Sequence, residues 1–305
     1  MVLVEIFEGC PLDCPYCYAR PQAQRFRRPF DLKAFSDMVA SLSPNTFVLH
    51  GQEPFVLPLH VLQAIVDTIR EANPCNSVTA QTSALPLLEP ERFDWAVEEL
   101  NGVGFSWDGE AASPVGRQRV AKEVLGVIAR YAKAKGDAGV IWVLTNETTE
   151  AQLRQGIETL IRAGVKTIRL NAVHAPYTPI QPEHYASLLL AAAPYRKDVQ
   201  LTTVEAILGK IPDCAFSGCC PYGTVIPGLT LDGELVCCGK EEAVSWARRS
   251  SFRMNLLQEL PEQEGGCRGC EDFSICRGGC PATAAVPILR TALCPAYRRV
   301  RDALG

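Results

Sequence analysis

Three cysteines lie within eight residues near the start of the sequence, shortly after an apolar run. They are Cys10, Cys14 and Cys17, and the run is Val2–Phe7. Thiolates at these spacings can bind three irons of a four-iron–four-sulfur cube, which leaves one iron without a protein ligand. An iron that is open in this way can bind a further molecule, so the spacing indicates chemistry beyond electron transfer. A zinc knuckle or a redox loop is the alternative, and the lack of a fourth ligand close by in the sequence disfavours it.

The composition limits the class of protein. The chain has 305 residues, of which 47% are apolar and 21% charged, as in ordinary globular proteins of one large domain or two. No apolar run approaches the roughly 18 residues of a membrane span, and the start lacks the basic region of a signal peptide. The net charge of −4 gives no basic footprint for nucleic acid and is compatible with a cationic substrate.

The chain contains 14 cysteines, which is a large number. Without an export signal, disulfides explain this number poorly, and metal or cluster ligation explains it better. We therefore expect a cytoplasmic protein, because clusters are assembled in the cytoplasm and thiols stay reduced there.

Short β-rich runs alternate with amphipathic stretches from residue 2 to about residue 205. This alternation predicts an α/β fold with a parallel sheet and helices outside it, and six or so units favour a partial (β/α)6 barrel. The predicted strands are Val2–Phe7, Thr46–His50, Ser77–Gln81, Val103–Trp107, Val140–Leu144, Thr167–Leu170 and, weakly, Val199–Thr203. The predicted helices are Leu32–Leu42, Leu59–Ala72, Glu91–Leu100, Arg117–Lys135, Glu150–Ala163 and Pro182–Ala193.

Two further segments follow predicted strands, at the carboxyl ends where such sheets bind ligands. The first is Gly51–Pro54, in which glycine permits close backbone approach and Glu53 supplies a carboxylate. The second is Ser106–Gly109, followed by Arg117 and Arg119, which could pair with a carboxylate bidentately. A simple turn and a helix-capping loop with solvated arginines are the respective alternatives.

The C-x3-C-x2-C spacing, with Tyr16 before its third cysteine, resembles the radical S-adenosylmethionine (SAM) superfamily. In that superfamily the open iron chelates the amino and carboxylate groups of SAM, and reductive cleavage yields a 5′-deoxyadenosyl radical. The segment at Gly51 resembles the Gly-Gly-Glu-Pro motif, whose backbone and carboxylate hold the SAM amino group, with Gln52 in place of the second glycine. The resemblance thus implies SAM contacts at Gly51, Gln52 and Glu53, and it implies that Tyr16 packs beside the adenine.

The segment at Ser106 resembles a Ser-Leu-Asp-Gly segment of the same superfamily, in which the serine helps to bind the SAM carboxylate. Arg117 or Arg119 would then pair with that carboxylate. The end of the third predicted strand, Gln81–Ser83, lies where the superfamily contacts the ribose.

After about residue 205 the βα alternation stops and cysteines accumulate. Few long apolar runs occur there, so bound metal must supply much of the folding free energy of this segment. The two notable spacings are Cys214-x5-Cys220 with Gly233 and Cys238 after it, and Cys267-x2-Cys270-x5-Cys276-x3-Cys280 with Cys294 after it. A pair of zinc sites is the alternative to iron–sulfur clusters.

Together these spacings resemble the SPASM extension of radical SAM enzymes, which carries two auxiliary four-iron clusters. The resemblance implies a radical SAM core at residues 1–205, a SPASM domain at residues 206–305, three [4Fe-4S] clusters, and SAM as a further cofactor. It also implies an external one-electron donor such as flavodoxin or ferredoxin. The implied ligands are Cys214, Cys220, Cys238 and Cys280 for the first auxiliary cluster, and Cys267, Cys270, Cys276 and Cys294 for the second.

Three cysteines are left over by this assignment, namely Cys75, Cys219 and Cys237. Cys219 could replace Cys220 as a ligand, and Cys237 could replace Cys238. If Cys237 is not a ligand, it lies beside one and could donate a hydrogen atom to a substrate radical.

The compact length resembles superfamily members that act on sugars, aminocyclitols and aminoglycosides, so we expect dehydrogenation of a hydroxyl-bearing carbon of such a small molecule. Asp108, Asp232 and Glu234 are candidate bases by proximity to the motifs, and His174 is another. The alternatives are epimerisation with Cys237 as hydrogen donor, maturation of a peptide, and a non-catalytic electron carrier with several clusters.

Two features of the sequence disfavour the alternative that the protein matures a peptide. The cluster loop begins at residue 10, which leaves no room for the N-terminal recognition domain common in peptide-maturing members. Sulfatase-maturing members carry a catalytic aspartate directly after the third ligand of the first auxiliary cluster, and Gly239 stands at that position here.

Overall fold

The computed structural model describes residues 1–17, 19, 28–42, 45–111, 115–173, 177–211, 227–237, 250–280, 283–284 and 289–305. The chain folds as two compact units. The first unit comprises Met1–Ile141, Thr159–Lys166 and Pro227–Gly239, and the second comprises Trp142–Glu158, Thr167–Ile226 and Lys240–Gly305. This division does not test the predicted domain boundary at residue 205, which stays a prediction.

In the part of the chain that the structure describes, nine strands form one sheet, and eight of them are parallel. They are β1 (Val2–Ile6), β2 (Thr46–Gly51), β3 (Ser77–Thr82), β4 (Gly102–Ser106), β5 (Gly139–Leu144), β6 (Thr167–Ala172), β7 (Gln200–Leu201), β8 (Pro227–Thr230) and β9 (Leu235–Cys237). Their order in the sheet is β7-β6-β5-β4-β3-β2-β1-β8-β9, with β9 antiparallel to β8. The predicted α/β class with a parallel sheet is confirmed.

Within the described residues, ten α-helices connect or follow the strands. They are α1 (Leu32–Ser41), α2 (Leu59–Ala72), α3 (Pro90–Glu99), α4 (Ala121–Lys135), α5 (Glu150–Arg162), α6 (Pro182–Ala192), α7 (Thr202–Ile207), α8 (Ser250–Glu259), α9 (Phe273–Cys276) and α10 (Cys294–Leu304). All are part of the described chain. No helix in the described ranges is long and apolar enough to cross a membrane.

The structure differs most from the sequence prediction at two element boundaries. Arg117 lies in a 3₁₀ helix, Gly116–Val120, that precedes α4 rather than in the α-helix itself. The predicted strand Val199–Thr203 is reduced to β7, because the chain becomes helical at Thr202. The hydroxyl of Thr203 accepts from the N–H of Leu170 and donates to its carbonyl, both at 3.0 Å, so a side chain takes the place of further strand pairing.

Alternation along the strands places apolar and polar residues on opposite faces of the sheet in the first unit. Val2, Val4 and Ile6 of β1 are fully buried. The register pairs Glu5 with His50 and pairs Gln81 with Gly104, and Ser106 follows Gly104 by two residues on the same face. The side chains of Glu5, His50, Gln81 and Ser106 therefore form a polar row on the other face of the sheet. This polar row runs across the strands near their carboxyl ends, where ligand sites of parallel sheets lie.

Candidate active site

The loop that carries Cys10, Cys14 and Cys17 follows β1 and is tied to the end of β2. The backbone N–H of Gln52 donates to Ile6 O at 2.9 Å, and that of Glu53 donates to Gly9 O at 3.2 Å. Within the loop, the N–H of Cys17 donates to Cys14 O at 3.2 Å. The turn after β2 therefore holds the beginning of the cysteine loop at the carboxyl end of the sheet.

The three thiols lie within electrostatic range of one another in the loop. Burial raises the pKa of Cys10 to about 11, and the negative charges of Glu53, Cys14 and Cys17 add to this effect. Burial likewise raises the pKa of Cys14. Clustered thiols that resist ionisation are stabilised as thiolates by a bound metal, which suits an iron–sulfur site. Over the described ranges, no three His, Cys, Asp or Glu side chains converge as a single metal ion would require.

The 3₁₀ helix Gly116–Val120 packs against the cysteine loop. Gly116 has φ +49°, and a Cβ added there would lie 2.7 Å from Cys14 Cα and 2.8 Å from its sulfur. The absence of a side chain at Gly116 therefore lets the backbone approach the loop at the residue that carries the central thiol.

We expect Gly116→Ala to cost about 1–3 kcal/mol of stability and to displace Cys14, because the added carbon overlaps the loop. The iron content after reconstitution and the free energy of unfolding measure both effects. Gly126→Ala is the matched control: Gly126 lies in α4 with nothing within 4 Å of an added Cβ, so this change should be neutral or stabilising by up to about 1 kcal/mol. Equal iron content in the two variants would contradict the expectation.

Tyr16, Asp108 and Arg117 form a partly buried polar group beside the loop. The Tyr16 hydroxyl donates to Asp108, and Arg117 Nη1 lies 3.3 Å from Asp108 Oδ2. The guanidinium of Arg117 also lies over the Tyr16 ring, 5.8 Å from its centroid, in a cation–π contact. Burial, reinforced by the Asp108 charge, raises the pKa of Tyr16, so the phenol stays protonated as the donor.

The contacts of Asp108 and of Arg119, farther along the same segment, bear on the roles that the sequence predicts for them. Asp108 is a predicted base, but its carboxylate is nearly fully buried and engaged by Tyr16 and Arg117, which favours a positioning role. Arg117 or Arg119 is predicted to pair with the SAM carboxylate, which stays a prediction; in this structure Arg119 forms an exposed ion pair with Asp13 at 3.0 Å. Each of these side chains thus braces the cysteine loop from the segment that precedes α4.

Glu53 is fully buried and faces the end of β3 rather than open space. Its two carboxylate oxygens accept from Thr82 Oγ1 at 2.7 Å and from Ser83 N and Oγ at 2.8 and 2.5 Å. One oxygen also accepts from Phe55 N at 3.4 Å, which caps the 3₁₀ helix Pro54–Val56. Burial raises the pKa of Glu53, and the Ser83 and Thr82 donors oppose that shift. Glu53 therefore joins the ends of β2 and β3.

Ser106 lies at the end of β4, as the motif predicts, and is nearly fully buried. Its hydroxyl accepts from Gln81 Nε2 at 2.9 Å. Gly104 lies directly opposite Gln81 in the register, and a Cβ there would overlap the Gln81 amide. The glycine thus makes room for the amide that orients Ser106, and both polar side chains belong to the row described above.

Sequence reasoning missed the pair Glu5 and His50 in this row. Glu5 is only 1% exposed, and its carboxylate lies 3.3 Å from Nδ1 of His50, whose side chain is 21% exposed. A buried carboxylate beside an imidazole fixes the orientation of the ring and can support proton transfer. The signal in the sequence is a charged residue inside the apolar run Val2–Phe7, where a buried carboxylate requires a partner.

The candidate bases Asp232 and Glu234 lie in the turn between β8 and β9. Arg28 Nε is 3.4 Å from Asp232 Oδ2, and Arg28 Nη2 is 4.0 Å from Glu234 Oε2. Thr230 Oγ1 donates to Asp232 at 2.5 Å. Asp232 therefore stabilises the turn. Cys237 ends β9 opposite Pro227, and its side chain lies outside what the structure describes.

Four C-terminal cysteines lie together in the second unit. Burial raises the pKa of Cys267 to about 12, and the charges of three other thiols add to the effect, so the four thiols lie within electrostatic range of one another. The four cysteines are Cys267, Cys270, Cys276 and Cys294. They are the set that the resemblance implies for the second auxiliary cluster, and their proximity fits that group.

A tight backbone path positions the last of these cysteines. Arg277 and Gly279 both have left-handed φ values, 46° and 70°. Thr291 N then donates to Gly278 O at 2.7 Å, and Cys294 N donates to Thr291 O at 3.2 Å. The turn after Cys276 thereby returns the distant segment that carries Cys294 to the other thiols.

Arginines surround the four thiols. Arg298 Nη2 donates to Cys270 Sγ at 3.4 Å, and its Nη1 lies 2.6 Å from Glu262 Oε1. Arg290 Nη1 contacts the same Glu262 oxygen at 2.9 Å. An N–H donor and a positive charge at a ligand sulfur are among the factors that set cluster potentials.

We expect Arg298→Gln to lower the reduction potential of a cluster bound here by on the order of 50 mV, because the charge of Arg298 favours the reduced, more negative state. Redox titration followed by electron paramagnetic resonance (EPR) measures the potential. Arg299→Gln is the control, since the exposed Arg299 contacts the backbone oxygen of Glu183 instead. An unchanged potential in Arg298→Gln would contradict the assignment of this contact.

The remaining predicted residues lie beyond the described ranges, except Cys280 and Cys75. Cys280 lies in the second unit and is partly exposed. Cys75 is exposed at the end of the turn after α2. The predicted residues outside the description are Cys214, Cys219, Cys220, Cys238 and His174. The first auxiliary site thus stays a prediction from the sequence.

Comparison with solved structures shows the fold. No protein-family profile and no curated protein matches the chain. The structure of anSMEcpe with bound AdoMet (SAM) is similar to it with a TM-score of 0.74 and 16% identity, over 99% of this chain and 95% of that chain. The complex of anSMEcpe with AdoMet and the Cp18Cys peptide gives a TM-score of 0.72 at 16% identity over the same shares.

Streptococcus suis SuiB bound to S-adenosylmethionine is similar with a TM-score of 0.58 and 13% identity, over 95% of this chain and 75% of that chain. At these identities the likeness is one of fold. The three-cysteine loop, the turn at Gly51 and the C-terminal cysteines are features that the sequence itself supplies. The chain therefore shares the fold of these SAM-bound proteins, which agrees with the resemblance that the cysteine spacings indicate.

Proposed function

We propose that the chain is a radical SAM enzyme with a SPASM extension, which binds SAM at a [4Fe-4S] cluster on Cys10, Cys14 and Cys17. The observation that carries the proposal is the placement of three clustered thiols at the carboxyl end of β1, braced by Gly116 and by the turn after β2. The shared fold with SAM-bound proteins supports it. When bound, the cluster and SAM supply a 5′-deoxyadenosyl radical that abstracts hydrogen from a C–H bond.

In this proposal, residues of the chain position and enclose the cluster and SAM. Gly51 lets the end of β2 lie close to Ile6 of β1, and Glu53 joins the strand ends beside the cluster loop. Ser106 with Gln81 offers hydrogen bonds from the polar row on the sheet. Tyr16 and Arg117 hold the far side of the loop through Asp108. The proposal includes three clusters, a cytoplasmic location and an external one-electron donor such as flavodoxin or ferredoxin.

Anaerobic reconstitution followed by incubation with SAM and dithionite tests this function. We expect about twelve irons per chain and formation of 5′-deoxyadenosine. A colourless, zinc-loaded protein would overturn the cluster assignment. An iron-loaded protein that forms no 5′-deoxyadenosine would favour the electron-carrier alternative.

For the substrate, we propose a sugar, aminocyclitol or aminoglycoside whose hydroxyl-bearing carbon is dehydrogenated. The row of Glu5, His50, Gln81 and Ser106 supports this choice, because polar side chains at strand ends can bind hydroxyl and ammonium groups. The Glu5–His50 pair is a better candidate for the base than Asp108, which is engaged by Tyr16 and Arg117. Transfer of deuterium from a labelled substrate to 5′-deoxyadenosine would identify the carbon that is attacked.

Peptide modification is the second candidate, and one comparison favours it specifically. The anSMEcpe structure contains a bound peptide together with AdoMet, and its fold matches 99% of this chain. Gly239 in place of the catalytic aspartate argues against sulfatase maturation itself. Deuterium transfer from a peptide, and none from the small molecules, would decide for this candidate. Epimerisation with Cys237 as hydrogen donor would instead give a product that takes up solvent deuterium in place of the abstracted hydrogen.

A further inference from the structure

The side-chain oxygen of Gln52 is buried and has no hydrogen-bond partner among the described residues. Buried acceptors in folded proteins are almost always paired, so an unpaired one requires an explanation such as a bound ligand. Gln52 also stands where the radical SAM motif has its second glycine, so its side chain is a feature of this chain.

The position of Gln52 is fixed by its neighbours. Its N–H donates to Ile6 O at 2.9 Å, and the next N–H, of Glu53, donates to Gly9 O one residue before Cys10. The unpaired oxygen therefore belongs to the turn that holds the cluster loop.

Glu53, the neighbouring carboxylate, has no acceptor capacity to spare. A carboxylate offers about four lone-pair sites. Four donors already fill them, at 2.7 Å from Thr82, 2.8 and 2.5 Å from Ser83, and 3.4 Å from Phe55. An ammonium group that binds at this turn would therefore find no free lone pair on Glu53, whereas the amide oxygen of Gln52 can still accept a hydrogen bond.

We propose that Gln52 Oε1 accepts a hydrogen bond from the ammonium group of SAM, a contact that the resemblance assigns to the motif backbone and Glu53. This inference rests on the proposed function. It makes Gln52 a binding residue for the amino-acid end of the cofactor and leaves Glu53 as the group that joins β2 to β3. A ligand donor also satisfies the oxygen that the folded chain leaves unpaired.

The test compares three proteins, reconstituted anaerobically: wild type, Gln52→Met and Gln52→Glu. Equilibrium dialysis with labelled SAM gives the dissociation constant, and the change in the EPR spectrum of the reduced cluster on SAM addition gives a second readout. We expect Gln52→Met to weaken SAM binding about tenfold or more, since methionine has the shape of glutamine without its acceptor. Gln52→Glu should bind within about threefold of wild type, because it keeps an acceptor. A SAM analogue that lacks the amino group should bind wild type and Gln52→Met equally.

Unfolding of the ligand-free proteins separates this role from a structural one. Removing an unpaired buried acceptor should leave the denaturation midpoint of Gln52→Met unchanged or higher. A lower midpoint would show that the amide supports the fold and would overturn the proposal, as would wild-type SAM affinity in Gln52→Met. Weak binding by Gln52→Glu would indicate that the amide donates to the SAM carboxylate, which also overturns it. If wild type itself binds no SAM, the proposed function fails, and the inference fails with it.

Discussion

Replacing Cys14 with alanine is expected to abolish 5′-deoxyadenosine formation, with a fall of at least about a thousandfold, or about 4 kcal/mol in the activation barrier. Cys14 is 6% exposed, and the Gly116 backbone packs directly against it. Its thiolate is one of three that would hold the SAM-binding cube, and two thiolates leave a second iron without a protein ligand. The iron content should fall from about twelve to about eight per chain as that cube is lost.

Cys75→Ala is the matched control for this substitution. Cys75 is an exposed cysteine that the ligand assignment leaves over. Its removal should change neither the iron content nor the rate of SAM cleavage. Retention of cleavage by Cys14→Ala, or an equal loss in both variants, would show that the loop is not the site of the radical chemistry.

Gly51→Ala is expected to destabilise the fold by about 2–6 kcal/mol. Gly51 has φ +112°, a conformation that costs a residue with a side chain about 1–3 kcal/mol. An added Cβ would also lie 2.7 Å from Ile6 N and closer still to the Ile6 carbonyl, and such overlap costs about 1–3 kcal/mol more. Because Ile6 pairs with Gly51 across the β1–β2 register, relief of the overlap would separate the two strands at the cluster loop.

Gly9→Ala separates the two costs. Gly9 also has a positive φ, +132°, but nothing lies within 4 Å of a Cβ added there. We therefore expect only the conformational cost of about 1–3 kcal/mol. Denaturant unfolding of both variants, with the midpoints compared at equal slopes, measures the difference. Equal destabilisation would contradict the overlap at Ile6.

Features that depend on local periodicity and spacing are predictable from the sequence. Alternating patterns locate β1 to β6 within a residue or two, since strand and helix periods are properties of short stretches. The spacing of Cys267, Cys270 and Cys276 with the more distant Cys294 indicates a common site, and in the structure these thiols lie within electrostatic range of one another.

Pairings between distant residues are not predictable in the same way. The partners of Arg119 and Glu53 depend on which loops meet at the sheet edge, and nothing in the local sequence distinguishes Asp13 or Ser83 from other polar residues. The pairing of Glu5 with His50 depends on strand register, which is set by the whole sheet. The polar row emerges only when the register is known.

The place of β8 in the sheet has a consequence for biosynthesis. The strand β1, which leads into the cluster loop, is flanked by β2 on one edge and by Gly228–Thr230 of β8 on the other. At about 5–20 residues per second, the ribosome delivers β8 some 10–45 s after β1. During that interval the nascent chain presents an uncovered edge of its first strand, the kind of surface that recruits foreign strands. Translation speed and chaperone access should therefore govern the yield of this protein, and chains cut short before residue 227 should accumulate as aggregates.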